Sequence, residues 1–399
     1  MKKKLLLNFI VLVVILSLIE IVFRVIFYTR YHKYDTTVSV QGNTLQMADE
    51  MLVYRNRPFY LDQDKKHQFN EEGFKSNAGD TKMPVKSAGD FWVFLFGASA
   101  MEGMGSNKDG EWLDITGVTD YSYKESIVFL LQQQLQAMMP GRKVKVFCAA
   151  NSGFSIYQSM LQYQRLKTKY KIDWVISMDG NNEPLVYDKG LSIRDYILND
   201  WKDYPIFKFP LKYIIPVTKR SASVNALKRF LFERRMNKRL SNASENNFPA
   251  RAKWLATDTG HLMYSNQSEA VQRSVDSFFY YMKKFDRELT SDSIPHLLFV
   301  QPHLTMRDTT KMSLTEKALL HYYIFSRNRS DINSFIAKIE EEAGKQSQSG
   351  TIQSLAFMHK NDAETFVDYC HFSQPAIRQL SFFFADRIAV QYNSEKKSP

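Results

Sequence analysis

The 399-residue sequence has little cysteine, only Cys148 and Cys370. Two cysteines exclude a disulfide-stapled scaffold and a four-cysteine zinc site. Sixteen glycines and twelve prolines are too few for a collagen-like or low-complexity chain. No internal repeat is present, and only one long apolar run exists, at the amino terminus. A protein of many membrane spans is therefore excluded. Acidic side chains are the scarcer sign, 42 against 53 basic, which leaves a net charge of +11. Such an excess favours anionic neighbours such as lipid headgroups or acidic polymers. What the chain does have is an ordinary globular balance of 44% apolar and 24% charged residues, rich in aromatics at 14%. Its length allows two domains or one domain with large insertions.

Lys2, Lys3 and Lys4 precede an apolar stretch from Leu5 to Tyr28. About 20 residues suffice to cross a bilayer as a helix. Glu20 and Arg24 stand four apart and pair on one face of such a helix. The lysines favour the N-terminus inside and the rest outside. No small-residue cleavage site follows, so the stretch reads as an uncleaved anchor rather than a signal peptide. The expected organisation is a cytoplasmic tail (1–4), a membrane anchor (5–28), a polar stalk and pre-domain segment (29–90), a main domain (91–392) interrupted at 185–290, and a polar tail (393–399). The anchor would place the main domain in the periplasm or at the cell exterior. There, nucleic acid is not an expected partner. The cysteines could then be bridged, or could be two small buried side chains.

Phe91–Phe96 is a continuous apolar run, as expected of a strand covered on both faces. Helical spacing follows at Glu125–Met139, ended by Pro140-Gly141. Strand character returns at Lys143–Cys148, Trp174–Met178 and His296–Val300. Helices are expected at Ser155–Lys169, at about Leu314–Ala343 with a break near Asn328–Asp331, and at Pro375–Tyr392. The alternation predicts a parallel sheet with helical crossovers. Within the interruption, Lys219–Arg239 is strongly basic, with Val224, Leu227 and Leu231 at helical spacing. It is either an amphipathic helix against anionic lipid or polymer, or a solvated face.

Four stretches carry chemistry. Gly97-Ala98-Ser99-Ala100-Met101-Glu102-Gly103 follows the first strand and places a serine at the carboxyl edge of the sheet, where α/β sites form. Ala149-Ala150-Asn151-Ser152-Gly153 follows the second strand and can present an unobstructed N–H. Asp179-Gly180-Asn181-Asn182-Glu183 follows the third and offers carboxamide donors. Asp368-Tyr369-Cys370-His371 precedes the last helix, with a carboxylate three residues before an imidazole. A serine hydroxyl becomes a nucleophile when an imidazole takes its proton, and a carboxylate fixes that imidazole's tautomer. The other histidines show no metal-ligand spacing such as H-E-x-x-H.

In order, these stretches resemble the blocks of the SGNH/GDSL hydrolase superfamily, in the membrane-anchored form associated with bacterial envelope polysaccharides. Phe69-Asn70-Glu71-Glu72-Gly73-Phe74 and Phe299-Val300-Gln301-Pro302 also resemble segments of anchored members. The resemblance implies a three-layer α/β/α, flavodoxin-like fold. It implies Ser99 as nucleophile, Asp368 and His371 as its partners, and an oxyanion hole from the N–H groups of Ser99 and Gly153 and the Asn182 side chain. It implies no cofactor and no metal. Ala98 departs from the acidic residue of the GDSL form, and Glu183 stands where Asp is usual. The implied function is a serine esterase that removes acyl groups, O-acetyl foremost, from an acylated glycan. Transfer of the acyl group to a sugar hydroxyl, or glycan binding without catalysis, are the alternatives.

Overall fold

The computed structural model describes residues 2–31, 46–49, 51–59, 68–77, 80–103, 122–183, 261–265, 269–327, 329–346 and 350–397. The chain divides into two compact units, 1–55 with 197–246, and 56–196 with 247–399. The basic segment Lys219–Arg239 and most of the expected interruption lie outside the described residues.

In the first unit, helix α1 (Lys2–Tyr31) runs for 30 residues, about 45 Å at the α-helical rise. Its apolar side chains from Leu7 to Val25 are largely exposed, and Arg24 Nε meets Glu20 Oε1 at 3.0 Å, as their spacing predicts. Among the described residues no helix is long and apolar enough to cross a membrane. The expected anchor therefore rests on the sequence Leu5–Tyr28. Strands β1 (Gln46–Asp49) and β2 (Val53–Asn56) form a small separate sheet.

The second unit is built on a seven-stranded sheet. Two short antiparallel strands, β3 (Gln68–Phe69) and β4 (Lys75–Ser76), form one edge. The other five are β5 (Asp90–Gly97), β6 (Lys143–Cys148), β7 (Trp174–Asp179), β8 (His296–Val300) and β9 (Ile352–Ser354), all parallel. Their spatial order is β6-β5-β7-β8-β9. This is the flavodoxin-like order, which reverses direction beside β5 and opens a crevice at the carboxyl ends of β5 and β7.

Alternation along β5 explains the layers. Phe91, Val93 and Leu95 join one core with α3 (Ile127–Met138) and α8 (Gln374–Lys397). Trp92, Phe94 and Phe96 join the other with α4 (Ile156–Lys167), α5 (Glu269–Ser291) and α7 (Ser330–Gln346). Helix α6 (Leu314–Arg327) adds Leu319 and Leu320 to the first core. The expected break in the 314–343 helix falls between α6 and α7.

One feature differs from expectation. Helix α5 lies within the segment read as an interruption, yet Val271, Val275, Phe278, Met282, Phe285 and Leu289 bury one stripe of it. That spacing of three and four residues covers the sheet. The pre-domain segment, expected to return to the domain as short strands, contributes β3 and β4 to the sheet. Between these strands Asn70 Oδ1 accepts the N–H groups of Glu72 and Phe74 at 3.0 Å each, and Gly73 takes φ +80°. Glu72 then ties this turn to α4 and the loop after it through Arg165 (2.9 Å), Lys169 (2.9 Å) and Tyr170 (2.8 Å).

Candidate active site

The serine stretch begins where β5 ends. Gly97 has φ +135°, and a Cβ there would stand 2.3 Å from the Met178 carbonyl oxygen. Only glycine fits so close to the neighbouring strand. The chain turns at Ala98 into the short helix α2 (Ser99–Glu102), closed by Gly103 at φ +90°. Ser99 is the first residue of α2, so its N–H has no partner inside that helix.

Ser99 Oγ lies 2.7 Å from His371 Nε2. His371 Nδ1 lies 2.6 Å from Asp368 Oδ2. The second carboxylate oxygen of Asp368 accepts the N–H groups of Cys370 (2.8 Å) and His371 (2.7 Å). One aspartate thus folds the turn and orients the ring. Ser99 and His371 are buried. Burial alone would push the His371 pKa down, but the Asp368 carboxylate reverses this and holds it well above the ordinary value. Burial would raise Asp368, and here the His371 ring and two backbone N–H donors outweigh it, so its pKa is lowered.

The three loops at this edge are tied together. Asn151 N–H donates to the Gly97 carbonyl at 3.1 Å, and Asn151 Oδ1 accepts the Asn56 N–H at 2.5 Å. Asn56 Nδ2 donates to Glu102 Oε1 at 2.5 Å. Gly153 takes φ +80°. Asn182 Nδ2 donates to the Phe154 carbonyl at 2.8 Å, joining the β7 loop to the loop of Gly153. A carboxamide nitrogen carries two hydrogens, and this bond uses one of them.

Glu183 Oε1 accepts the Ile156 N–H at 2.6 Å and caps α4. Glu183 and Asp179 are fully buried and close together. Desolvation and mutual repulsion raise Glu183, and desolvation raises Asp179 despite the hydroxyls of Ser177 (2.6 Å) and Ser159 (2.8 Å).

All five residues singled out from sequence lie at the carboxyl edge. Ser99, His371 and Asp368 form one hydrogen-bonded chain, while Asn182 and the Gly153 loop form a second, linked group. Both cysteines are free and buried, so no bridge forms between them. Cys370 Sγ lies 3.6 Å from His371 Nδ1. Asp368, Cys370 and His371 offer ligand atoms within 4.8 Å of one another. Both nitrogens of His371 are already engaged by Asp368 and Ser99, so a metal there would displace one of those bonds.

The resemblance marks Phe299-Val300-Gln301-Pro302 but assigns no role to the segment after β8. Gln301 Nε2 donates to the Cys370 carbonyl at 2.9 Å, and Leu304 N–H donates to the Tyr369 carbonyl at 2.9 Å. His303 is buried, its Nδ1 accepting the Thr305 N–H at 3.2 Å, which places its proton on Nε2. Desolvation lowers its pKa to about 3. A second support is the buried pair Arg307–Glu316, Nε to Oε1 at 2.9 Å. Arg307 donates to the carbonyls of Met358 (3.0 Å), Asn361 (2.9 Å) and Ala363 (2.8 Å), and Glu316 Oε1 accepts the N–H groups of Thr365 (2.9 Å) and Phe366 (3.1 Å). Together they fix the strand of chain that leads to Asp368.

No family model and no curated protein matches the chain. Among solved structures it is similar to a lipase/acylhydrolase from Enterococcus faecalis, at 13% identity and TM-score 0.36, covering 75% of this chain and 96% of that one. It is also similar to the aryl esterase of M. smegmatis, at 12% identity and TM-score 0.35, covering 75% and 98%. A third is a family two carbohydrate esterase from Clostridium thermocellum in complex with cellohexaose, at 10% identity and TM-score 0.23, covering 66% and 67%. Likeness of this size transfers no chemistry to the present chain.

Proposed function

We propose that the protein is an SGNH-type serine esterase, anchored through residues 5–28, that removes acyl groups, O-acetyl foremost, from an envelope or extracellular glycan. The observation that carries this reading is the continuous chain Ser99 Oγ, His371 Nε2, His371 Nδ1, Asp368 Oδ2, with spacings of 2.7 and 2.6 Å.

The chemistry follows from that line of atoms. Ser99 Oγ attacks the ester carbonyl carbon while its proton moves to His371 Nε2. The former carbonyl oxygen becomes an oxyanion, stabilised by the N–H groups of Ser99 and Gly153 and the second amide hydrogen of Asn182. Collapse expels the sugar oxygen, which takes the proton from Nε2 and leaves an acyl-Ser99. Water then attacks, giving its proton to Nε2. The second collapse returns that proton to Ser99 Oγ and releases the carboxylic acid. Asp368 stays ionised throughout and stabilises the imidazolium.

The pH dependence has a definite sign. His371 accepts the serine proton only when its Nε2 is neutral. Its pKa is raised, so the inactive imidazolium persists to higher pH than for free histidine. The kcat/KM for an acetyl ester should therefore fall as pH drops through that raised value. Asp368→Asn removes the main cause of the rise, so the acidic limb should move to lower pH while the rate falls by about 10⁴-fold. A limb that stays in place in that variant would argue that another group titrates.

The anchor is supported by the composition of Leu5–Tyr28 and by the exposed apolar side chains of α1. The full chain should sediment with membranes and resist carbonate extraction, and a chain starting at His32 should not. Release of the intact chain by carbonate alone would reject the anchor. The glycan remains tied to that location and to the net positive charge of the chain, +11. Acetate release from acetylated polysaccharide, compared with acetate transfer between sugars, distinguishes hydrolysis from transfer.

A further inference from the structure

Three features outside the proposed triad stand out: an open cavity between α5 and α7, the buried Glu340 beside His359, and the polar segment that follows β8. The third is tied directly to the reacting side chains.

Gln301 is the first residue past β8 and is buried, with 1% of its surface exposed. Its N–H donates to the Asp179 carbonyl at 2.8 Å, at the end of β7 and one residue before Gly180. Its Nε2 donates to the Cys370 carbonyl at 2.9 Å. Three residues on, the Leu304 N–H takes the adjacent carbonyl, Tyr369, at 2.9 Å. The two carbonyls between Asp368 and His371 are thus held by the segment that follows β8. Asp368 Oδ1 holds the N–H groups of Cys370 and His371. The turn is held through both its carbonyls and its N–H groups, and Gln301 supplies a side chain to the first set of contacts.

We infer that Gln301 is a positioning residue for His371, acting through the Cys370 carbonyl, and that it fixes the base relative to the Gly180–Asn182 loop. The inference rests on the proposed function where it concerns rate, but not where it concerns geometry. Gln301 joins the loop expected to supply the third oxyanion donor to the turn that supplies the base. These two groups must keep their separation as the tetrahedral intermediate forms. A carboxamide suits the task because its N–H donor is uncharged and does not disturb the electrostatics of Asp368 and His371. A lysine could reach the same carbonyl but would place a buried cation next to them.

The test compares the full-length protein with Gln301→Met, which keeps volume and length but removes the donor. Two measurements are made on folded protein. One is kcat and KM for p-nitrophenyl acetate, with the rate of fluorophosphonate labelling of Ser99. The other is the low-field proton resonance of His371 Nδ1–H and the pH at which the ring titrates. The expected result is a fall of about ten- to a hundredfold in kcat and in labelling rate, the size of effect that a displacement of about 1 Å produces. KM should stay within about twofold. The Nδ1–H resonance should shift or broaden, and the ring should titrate at lower pH because its contact with Asp368 loosens. An unchanged resonance and titration in the folded variant overturns the inference. So does a loss of activity that merely follows a loss of thermal stability while the resonance stays put. If the parent protein hydrolyses no ester and takes no label, the proposed function fails, and the resonance still decides the role of Gln301.

Discussion

Ser99→Ala should abolish fluorophosphonate labelling and lower ester hydrolysis by about 10⁴- to 10⁶-fold, with the fold unchanged. The magnitude follows from the role assigned to the hydroxyl. Triad members act as a unit, and removing one leaves only the contribution of the oxyanion donors and of binding. The change removes one buried oxygen, which meets His371 Nε2 at 2.7 Å. Thermal stability should therefore move little, because a mostly structural hydrogen bond is worth about 1 kcal/mol. The variant separates the proposed chemistry from simple glycan binding, since a binding protein would keep its affinity and had no turnover to lose. Retention of more than about a tenth of the parent rate would reject Ser99 as nucleophile. Ser152 and Ser155 would then be examined, being the nearby hydroxyls of the β6 loop.

The second large effect concerns stability. Glu316→Ala should lower stability by about 3–5 kcal/mol, because it leaves the Arg307 guanidinium buried without its counter-charge. Both side chains are fully buried and meet at 2.9 Å. Glu316 also accepts the backbone N–H groups of Ser313 (3.0 Å), Thr365 (2.9 Å) and Phe366 (3.1 Å), all of which lose a partner. Replacing both charges, as Arg307→Met with Glu316→Leu, should recover part of the loss, since an apolar pair of similar volume avoids the desolvation cost. The freed carbonyls of Met358, Asn361 and Ala363 prevent full recovery. Denaturant unfolding of the three proteins measures this. Equal stability of Glu316→Ala and the parent would show that the pair does not hold the chain leading to Asp368.

Much of the fold was legible because the sheet is covered on both faces. Phe91–Phe96, Trp174–Met178 and His296–Val300 are almost continuously apolar, which few other elements of that length are, and Lys143–Cys148 alternates before it ends in Val146-Phe147-Cys148. The fifth parallel strand was not legible. Ile352–Ser354 has three residues, lies at the edge and is only half covered, so its pattern is too short to detect. Helix α5 was hidden differently. Its apolar stripe is strong, but its charged opposite face follows the basic stretch around Lys219–Arg239, and the whole region read as one polar interruption.

The site divides in the same way. Ser99, Gly153 and Asn182 each lie in a loop that follows a strand, so position along the sheet edge exposed the loops, and resemblance chose Gly153 and Asn182 within them. Asp368 and His371 were legible as a pair because a three-residue spacing in a turn lets one carboxylate reach one ring. Their meeting with Ser99 bridges 272 positions and depends on the whole sheet being assembled. Gln301 stands in the Phe299–Pro302 segment marked by resemblance but without an assigned role, and the pair Arg307–Glu316 had no comparable signal. A glutamine after a strand reads as an ordinary polar residue, and its partner Cys370 lies 69 positions away. Only the packed structure reveals that such residues hold the backbone on which the reacting side chains stand.

The most direct measurement is mass analysis of peptides from protein quenched in acid during turnover of an activated acetyl ester. The account predicts one acetyl group, borne by the peptide that contains Ser99, accumulating within the first turnover and disappearing as acetate is released. Turnover with no adduct on that peptide, or with the acetyl group on Ser152, Ser155 or Cys370 instead, would contradict it.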